Sequence, residues 1–257
     1  MPNTQENQAR YPQPSIQAPG VGFALARLVL VVCLAPGAAL DAAIGPHQGK
    51  GSGELTLVRR LLADFRPGDV MLADALYCNY FLISSLMAAG VDVLMAQNGS
   101  RITDFRRGQS LGTREHIVRW PKPATRPQWM TSEQSAHAPD EIALREVRVA
   151  HQVLINTLVN HRQVRKNDLS ALYARRWNIE LDLRNLKTTC GMEVLRCQTA
   201  ADEREATVGP SAGLQRDRAA DGAGRQPRRR RPARPALQAH GATVGTVDLT
   251  RSVGDKQ

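Results

Sequence analysis

An α/β fold is predicted for this chain, on three observations. Val70-Met71-Leu72-Ala73 is wholly apolar, Asn79 to Ala89 reads as a helix stopped by Gly90, and Val91 to Met95 is apolar again. Strand, helix, strand at this spacing marks an α/β unit with parallel pairing. At 257 residues, with 42% hydrophobic and 23% charged residues, the chain can bury a core without disulfides or a metal. Those values exclude wholesale disorder and a polytopic membrane protein. The third observation is where patterning ends. Every aromatic residue precedes position 178, and from Ala201 to Gln257 Arg, Ala, Gly and Pro dominate without apolar periodicity. A disordered C-terminal tail is expected there.

The elements follow in chain order. Residues 1–20 are polar, rich in Pro, Gln and Asn, and read as loop. Val21 to Leu40 is almost unbroken apolar sequence, interrupted by Arg27 and by Pro36-Gly37. A membrane helix needs about 20 apolar residues without such a break, and Glu6 is out of place in the basic start of a signal peptide. Two buried strands, Phe23 to Leu34 and Ala38 to Ile44, joined by a Pro-Gly turn, fit better. Leu55, Leu57, Val58, Leu61 and Leu62 then recur at helical spacing from Glu54 to Phe65, with Ser52 as N-cap and Arg66-Pro67-Gly68 as the stop. Val70 to Ala73 suits a strand covered on both faces, with Asp74 at its C-terminal end. From Gln97 to Asp140 come short Arg-rich pieces with Pro and Trp. Ile117 to Trp120, Leu144 to Val149 and Val153 to Val159 read as strands of a β-rich insertion. A long helix runs from Asp168, its cap, to about Thr188.

Lys plus Arg number 34 against 24 Asp plus Glu, for a net charge of +10 and a pI near 10.1. This excess favours a polyanionic partner, of which nucleic acid is the commonest. Cys33, Cys78, Cys190 and Cys197 contain no CxxC pair and the histidines no HExxH, so zinc chemistry and a disulfide framework lack support. Buried, reduced thiols are the plain reading. The run Arg225 to Pro232 is either a nonspecific phosphate binder or a charged, solvated tail.

The long helix carries the sharpest signal. At about 100° per residue, Tyr173, Arg176, Glu180 and Lys187 share an arc of roughly 60°, beside an apolar stripe of Leu172, Ile179, Leu183 and Leu186. A hydroxyl, a guanidinium, a carboxylate and an amine thus line the edge of the buried face, where a site wall would stand. A solvated ladder is the alternative, since Arg176 and Glu180 form an ordinary i,i+4 pair.

Tyr173-x2-Arg176-x3-Glu180-x6-Lys187 resembles the Tyr-Arg-Glu-Lys signature of insertion-sequence transposases of the DDE type, in the branch numbered four. Leu172-Tyr173-x2-Arg175-Arg176-Trp177-x-Ile179-Glu180, then Leu186-Lys187-Thr188-Thr189 and Gly191-Met192-x-Val194-Leu195-Arg196-Cys197, extend the likeness. Pro2-Asn3-Thr4, Glu6-Asn7-Gln8 and Tyr11-Pro12-Gln13 resemble the segment after that family's first catalytic strand, and Gly68 to Asp74 the strand bearing its second catalytic Asp. The resemblance runs in order over about residues 1–199. It implies a ribonuclease-H-like core with a β-rich insertion before the helix of the catalytic Glu. It further implies strand cleavage by water and attack of the freed 3′-hydroxyl on target DNA, with carboxylates holding two Mg²⁺ (or Mn²⁺) ions about 3.5–4 Å apart. Hard cations require oxygen ligands. By the same likeness Asp74 and Glu180 are metal-binding catalytic residues, and Tyr173, Arg176 and Lys187 contact phosphates. Trp120 or Trp129 either stacks on an unpaired base or packs. Arg101, Arg106, Arg107, Arg114 and Arg119 line a DNA groove or form a solvated face.

Three departures from the family pattern set further expectations. The Asp-Gly pair holding the first catalytic Asp has no counterpart before residue 2, and Asn3 stands where an Asp is common. Ala75-Leu76 follow Asp74 in place of Arg-Gly. Beyond Thr199, two places where the family has Gln-Leu-Trp-like sequence read Ala-Thr-Val-Gly, at 206–209 and 242–245. Nucleotides for Gln-Leu-Trp read one base out of phase can give Ala-Thr-Val, so a frameshift near Thr199 to Arg204 is expected. A transposase-family protein with weak or no strand-transfer activity follows. A noncatalytic DNA-binding remnant and a basic RNA-associated protein are the alternatives. The expected organisation is an N-terminal loop segment (1–20), the first part of the core (21–96), the insertion (97–152), the end of the core (153–199) and an out-of-frame tail (200–257). Transposon ends and target DNA are the expected partners, with a homodimer in the DNA complex, no membrane, and a cytoplasmic, nucleoid-associated location.

Overall fold

The computed structural model describes residues 3–16, 18, 20–34, 38–49 and 51–177, and the backbone of 241–248. The described chain divides into two compact units, one running through Asp64 and the other Phe65–Trp177 with the first residues of the 241–248 segment.

In the first unit, the expected N-terminal loop contains a short helix, α1 (Gln5–Arg10). The Thr4 side chain caps it by accepting from the Asn7 N–H at 3.2 Å. Strand β1 (Ala26–Cys33) pairs antiparallel with β2 (Ala38–Pro46), with a register irregularity between Val31 and Val32. Leu28, Val29, Leu30 and Val31 are all buried. Burial of both faces explains why the sequence there is continuously apolar instead of alternating. Among the described residues, no helix is long and apolar enough to cross a membrane.

Helix α2 (Glu54–Val58) is shorter than its periodicity predicts, because Arg59–Asp64 winds into a 3-10 helix. Pro67 disfavours helical geometry at Arg66, and the tighter winding is a usual way to close a helix end. Gly53, not Ser52, is the N-cap; the Ser52 hydroxyl instead donates to the Gly49 carbonyl at 2.7 Å. Leu57, Val58 and Leu61 are buried as their spacing requires.

The second unit is mixed α/β with a largely β core. Its elements are β3 (Val70–Ala73), α3 (Tyr80–Ala88), β4 (Asp92–Ala96), β5 (Gln109–Gly112), β6 (Glu115–Pro121), α4 (Ser132–His137), β7 (Glu141–Val149), β8 (Gln152–Asn156), α5 (Lys166–Ala174) and, of β9 (Gly241–Asp248), the residues through Thr243. The strands lie in the order β9-β3-β4-β8-β7-β6-β5. β3 and β4 pair in parallel from Val70↔Asp92 to Ala73↔Met95, with α3 as the crossover, as the strand-helix-strand pattern predicts. Asn79 caps α3, its Oδ1 accepting from the Leu82 N–H at 2.9 Å, and Gly90 ends it at φ +73. Strands β5 to β8 are antiparallel, and β8 pairs with β4 to attach the insertion to the parallel pair.

Two further expectations are corrected in the second unit and in β9. Asp168 is not the cap of α5; it lies in the first turn, and its Oδ2 accepts from the Arg165 backbone N–H at 2.8 Å. Residues 241–248, expected within a disordered tail, form β9, whose backbone pairs parallel to β3 from Val70↔Gly241 to Leu72↔Thr243. The β-branched pairs Thr243-Val244 and Thr246-Val247 carry the strand propensity that averaging over a Gly- and Arg-rich stretch conceals.

Candidate active site

The site grows from β3. Its four residues are buried on both faces, Met71, Leu72 and Ala73 completely. The chain then leaves the sheet at half-buried Asp74. Asp74 caps the 3-10 turn Ala75–Tyr77, its Oδ1 accepting from the Leu76 N–H at 2.8 Å. A side-chain oxygen suits this place because the first amides of a turn have no internal partner. That is the one hydrogen bond to the Asp74 carboxylate among the described residues.

Helix α5 meets the same strand end. Leu169 is buried, and Tyr173, one turn on and on the same face, donates its hydroxyl to the Ala73 carbonyl at 3.3 Å. Arg176 holds its guanidinium 5.5 Å from the centre of the Tyr173 ring, within cation–π range. Burial pushes the Tyr173 phenol's pKa up, and the Asp74 charge adds to this against the opposing pull of Arg176. Three residues singled out from sequence, Asp74, Tyr173 and Arg176, are thus brought to one end of β3. Glu180 and Lys187 lie outside the described residues. Among the described residues, no group of three His, Cys, Asp or Glu side chains is arranged to hold a metal ion.

The insertion sorts the other candidates. Trp120 is 3% exposed, its Nε1 donates to Glu146 Oε1 at 2.9 Å, and Arg101 covers its ring at 3.7 Å. Of the two readings for Trp120, packing holds and base stacking fails, because the ring has no free face in this arrangement. Trp129 is partly exposed. Arg106 grips Asp104 with two guanidinium hydrogen bonds, at 2.8 and 3.1 Å, and a third from its backbone N–H at 3.1 Å; together they hold that carboxyl down at about 2. Arg107 lies 3.6 Å from the same Asp and is exposed. Arg119 pairs with Glu141, and Arg114 is exposed in the turn between β5 and β6.

Sequence reasoning missed a buried polar network. His116 Nε2 meets Glu146 Oε2 at 3.0 Å while Nδ1 meets the Arg107 carbonyl at 2.6 Å. Across the strands, Arg145 pairs with Glu115. The available signal was charged residues at inward positions of otherwise apolar strands, which the strand pattern alone does not separate from outward ones.

With this geometry in hand, the family comparison is specific. The profile of the transposase DDE domain matches residues 11–209, most of the chain. No curated protein and no solved structure matches. The chain therefore belongs to the transposase DDE domain family.

Proposed function

We propose that this chain handles transposon DNA by phosphoryl transfer. Asp74 and Glu180 are its metal-binding carboxylates, and Tyr173, Arg176 and Lys187 hold the phosphates. The observation that carries this reading is the Tyr173 hydroxyl on the Ala73 carbonyl, which joins the first turns of the signature helix to the strand end bearing Asp74. On this reading residues 21–96 and 153–199 form a ribonuclease-H-like core around the insertion 97–152, and the DNA complex contains a homodimer. Membership of the branch numbered four, given by the Tyr-Arg-Glu-Lys spacing, belongs to the same proposal.

Asp74 suits a hard cation. Its carboxylate spends one lone pair on the Leu76 amide and keeps others for an oxygen-seeking ion. A bound Mg²⁺ or Mn²⁺ would supply Lewis acidity, lowering the pKa of a water and offsetting charge on phosphate oxygens. The chain's own side chains do the rest. Arg176 offers a planar fork to phosphate oxygens and Lys187 a point charge. Tyr173, its ionisation pushed up by burial, remains a protonated phenol at neutral pH; its one proton goes to the Ala73 carbonyl and would have to turn from it to a phosphate oxygen for a direct contact. The resemblance calls for three carboxylates and its matched positions supply two. Little or no strand transfer by these 257 residues alone is therefore part of the proposal.

Mn²⁺ binding to the full chain, read by electron paramagnetic resonance, tests the reading. Asp74→Asn and Glu180→Gln are each expected to weaken binding about tenfold or more. Wild-type affinity in both variants would overturn the metal assignment. Normal turnover of cognate ends with Mg²⁺ would overturn the inactivity. Salt-dependent DNA binding without turnover in any condition is the result a noncatalytic remnant gives.

A further inference from the structure

We propose that Arg145, a residue of the β-rich insertion, is a positioning residue for α5: it grips both ends of the segment between β8 and α5 and so sets where Tyr173 meets the strand end carrying Asp74. The inference rests on the site reading above and deepens it.

Arg145 stands on β7 and is fully buried. Its Nε donates to Glu115 Oε1 at 2.8 Å and a terminal nitrogen contacts the same oxygen. The other terminal nitrogen donates to two backbone carbonyls, Leu158 at 3.1 Å and Val164 at 2.7 Å. Leu158 follows the end of β8, and Val164 immediately precedes Arg165, the N-cap of α5. One planar guanidinium thus closes the connecting segment at both ends, with Glu115 as its counter-ion. A guanidinium offers five donors in a fixed fork, which an ammonium cannot reproduce.

A second tie runs beside the first. Lys166 Nζ, in the first turn of α5, donates to the Thr113 carbonyl at 3.2 Å, in the turn next to Glu115. From this anchored start, α5 carries Leu169 into the core and Tyr173 onto Ala73. A buried ion pair is a poor way to gain stability compared with apolar packing, because both charges must be desolvated. What it supplies is fixed geometry, and here the geometry is that of the helix start.

Amide hydrogen exchange on the full chain tests the assignment. Arg145→Lys keeps a cation, but its single nitrogen cannot hold Glu115 and both carbonyls together, as the separate nitrogens of the guanidinium do. Exchange in 166–174 is expected to rise about tenfold or more while β4 and β8 stay within about twofold. The ionisation midpoint of Tyr173, isolated by difference against Tyr173→Phe, should fall towards that of an exposed tyrosine as the ring leaves its seat. Unchanged exchange in 166–174, or a rise matched by β4 and β8, would overturn the proposal, the latter showing a merely structural role. Should Arg145→Lys fail to fold, Glu115→Gln asks the same question: a selective rise of about threefold in 166–174 supports the proposal, and no rise or a uniform one defeats it. Neither readout uses metal or cleavage, so failure here leaves the transposase reading standing, and the reverse holds.

Discussion

Near β3, burial governs the chemistry of single side chains. Desolvation raises the Cys78 thiol from an ordinary 9.0 to about 11, with Arg101 pulling the other way. A folded-state value above the unfolded one gives stability that is whole below pH 9 and is lost as pH rises towards 11. Alkylation of Cys78 in the native chain should therefore stay slow near neutral pH and quicken only towards 11, read by mass spectrometry; rapid labelling at neutral pH would contradict its burial. Asp74 separates two roles. Asn caps a turn as well as Asp does, so Asp74→Asn should change the unfolding free energy, measured by urea titration, by no more than about 0.5 kcal/mol while removing the carboxylate. The place of Asp74 at the end of β3 was legible from sequence, because a carboxylate directly after a wholly apolar run is conspicuous; its proposed metal-binding role came from the family resemblance. The Tyr173 partner was not legible, because a backbone carbonyl leaves no mark in the sequence.

At the level of elements, local rules marked some ends and missed others: Gly90 follows α3 as expected, whereas the caps expected at Ser52 and Asp168 fall on Gly53 and Arg165. Asn79 shows the rule at work, and Asn79→Ala should cost about 1 kcal/mol through the lost cap of α3, measurable by urea unfolding. The same rule would have found α4, since Thr131-x-x-Gln134 forms a capping box. The Pro- and Arg-rich composition around it hid that signal. Gly108 is more exacting: at φ +74, an added Cβ would lie 2.1 Å from the Ile117 carbonyl oxygen. Gly108→Ala should therefore loosen the β5–β6 ribbon, with faster amide exchange in 109–121 and little change in β3 and β4. β9 is the element composition concealed most. A chain lacking 241–248 should lose exchange protection along β3, whose backbone it pairs. Unaltered protection would show the pairing to be dispensable.

Over the whole molecule, the net charge of +10 predicts DNA affinity that falls steeply with salt. Arg114, exposed in its turn, should flatten the log-log salt slope by about one when changed to Ala, read by fluorescence anisotropy at several salt concentrations. Arg101→Ala should instead disturb the packing of Trp120, which its guanidinium covers. Unaided, the amino-acid order determined the parallel β3–α3–β4 unit, the kinship with DDE transposases and the basic character. These reside in short-range periodicity, spacing and charge count, which need no knowledge of distant neighbours. Tertiary structure alone decided that Tyr173 reaches Ala73 across 100 positions, that Arg145 grips the segment leading to α5, and that Trp120 is packed away. Each of these depends on strands distant in sequence being paired in one register, and a pairing register is set by the packing of the whole sheet.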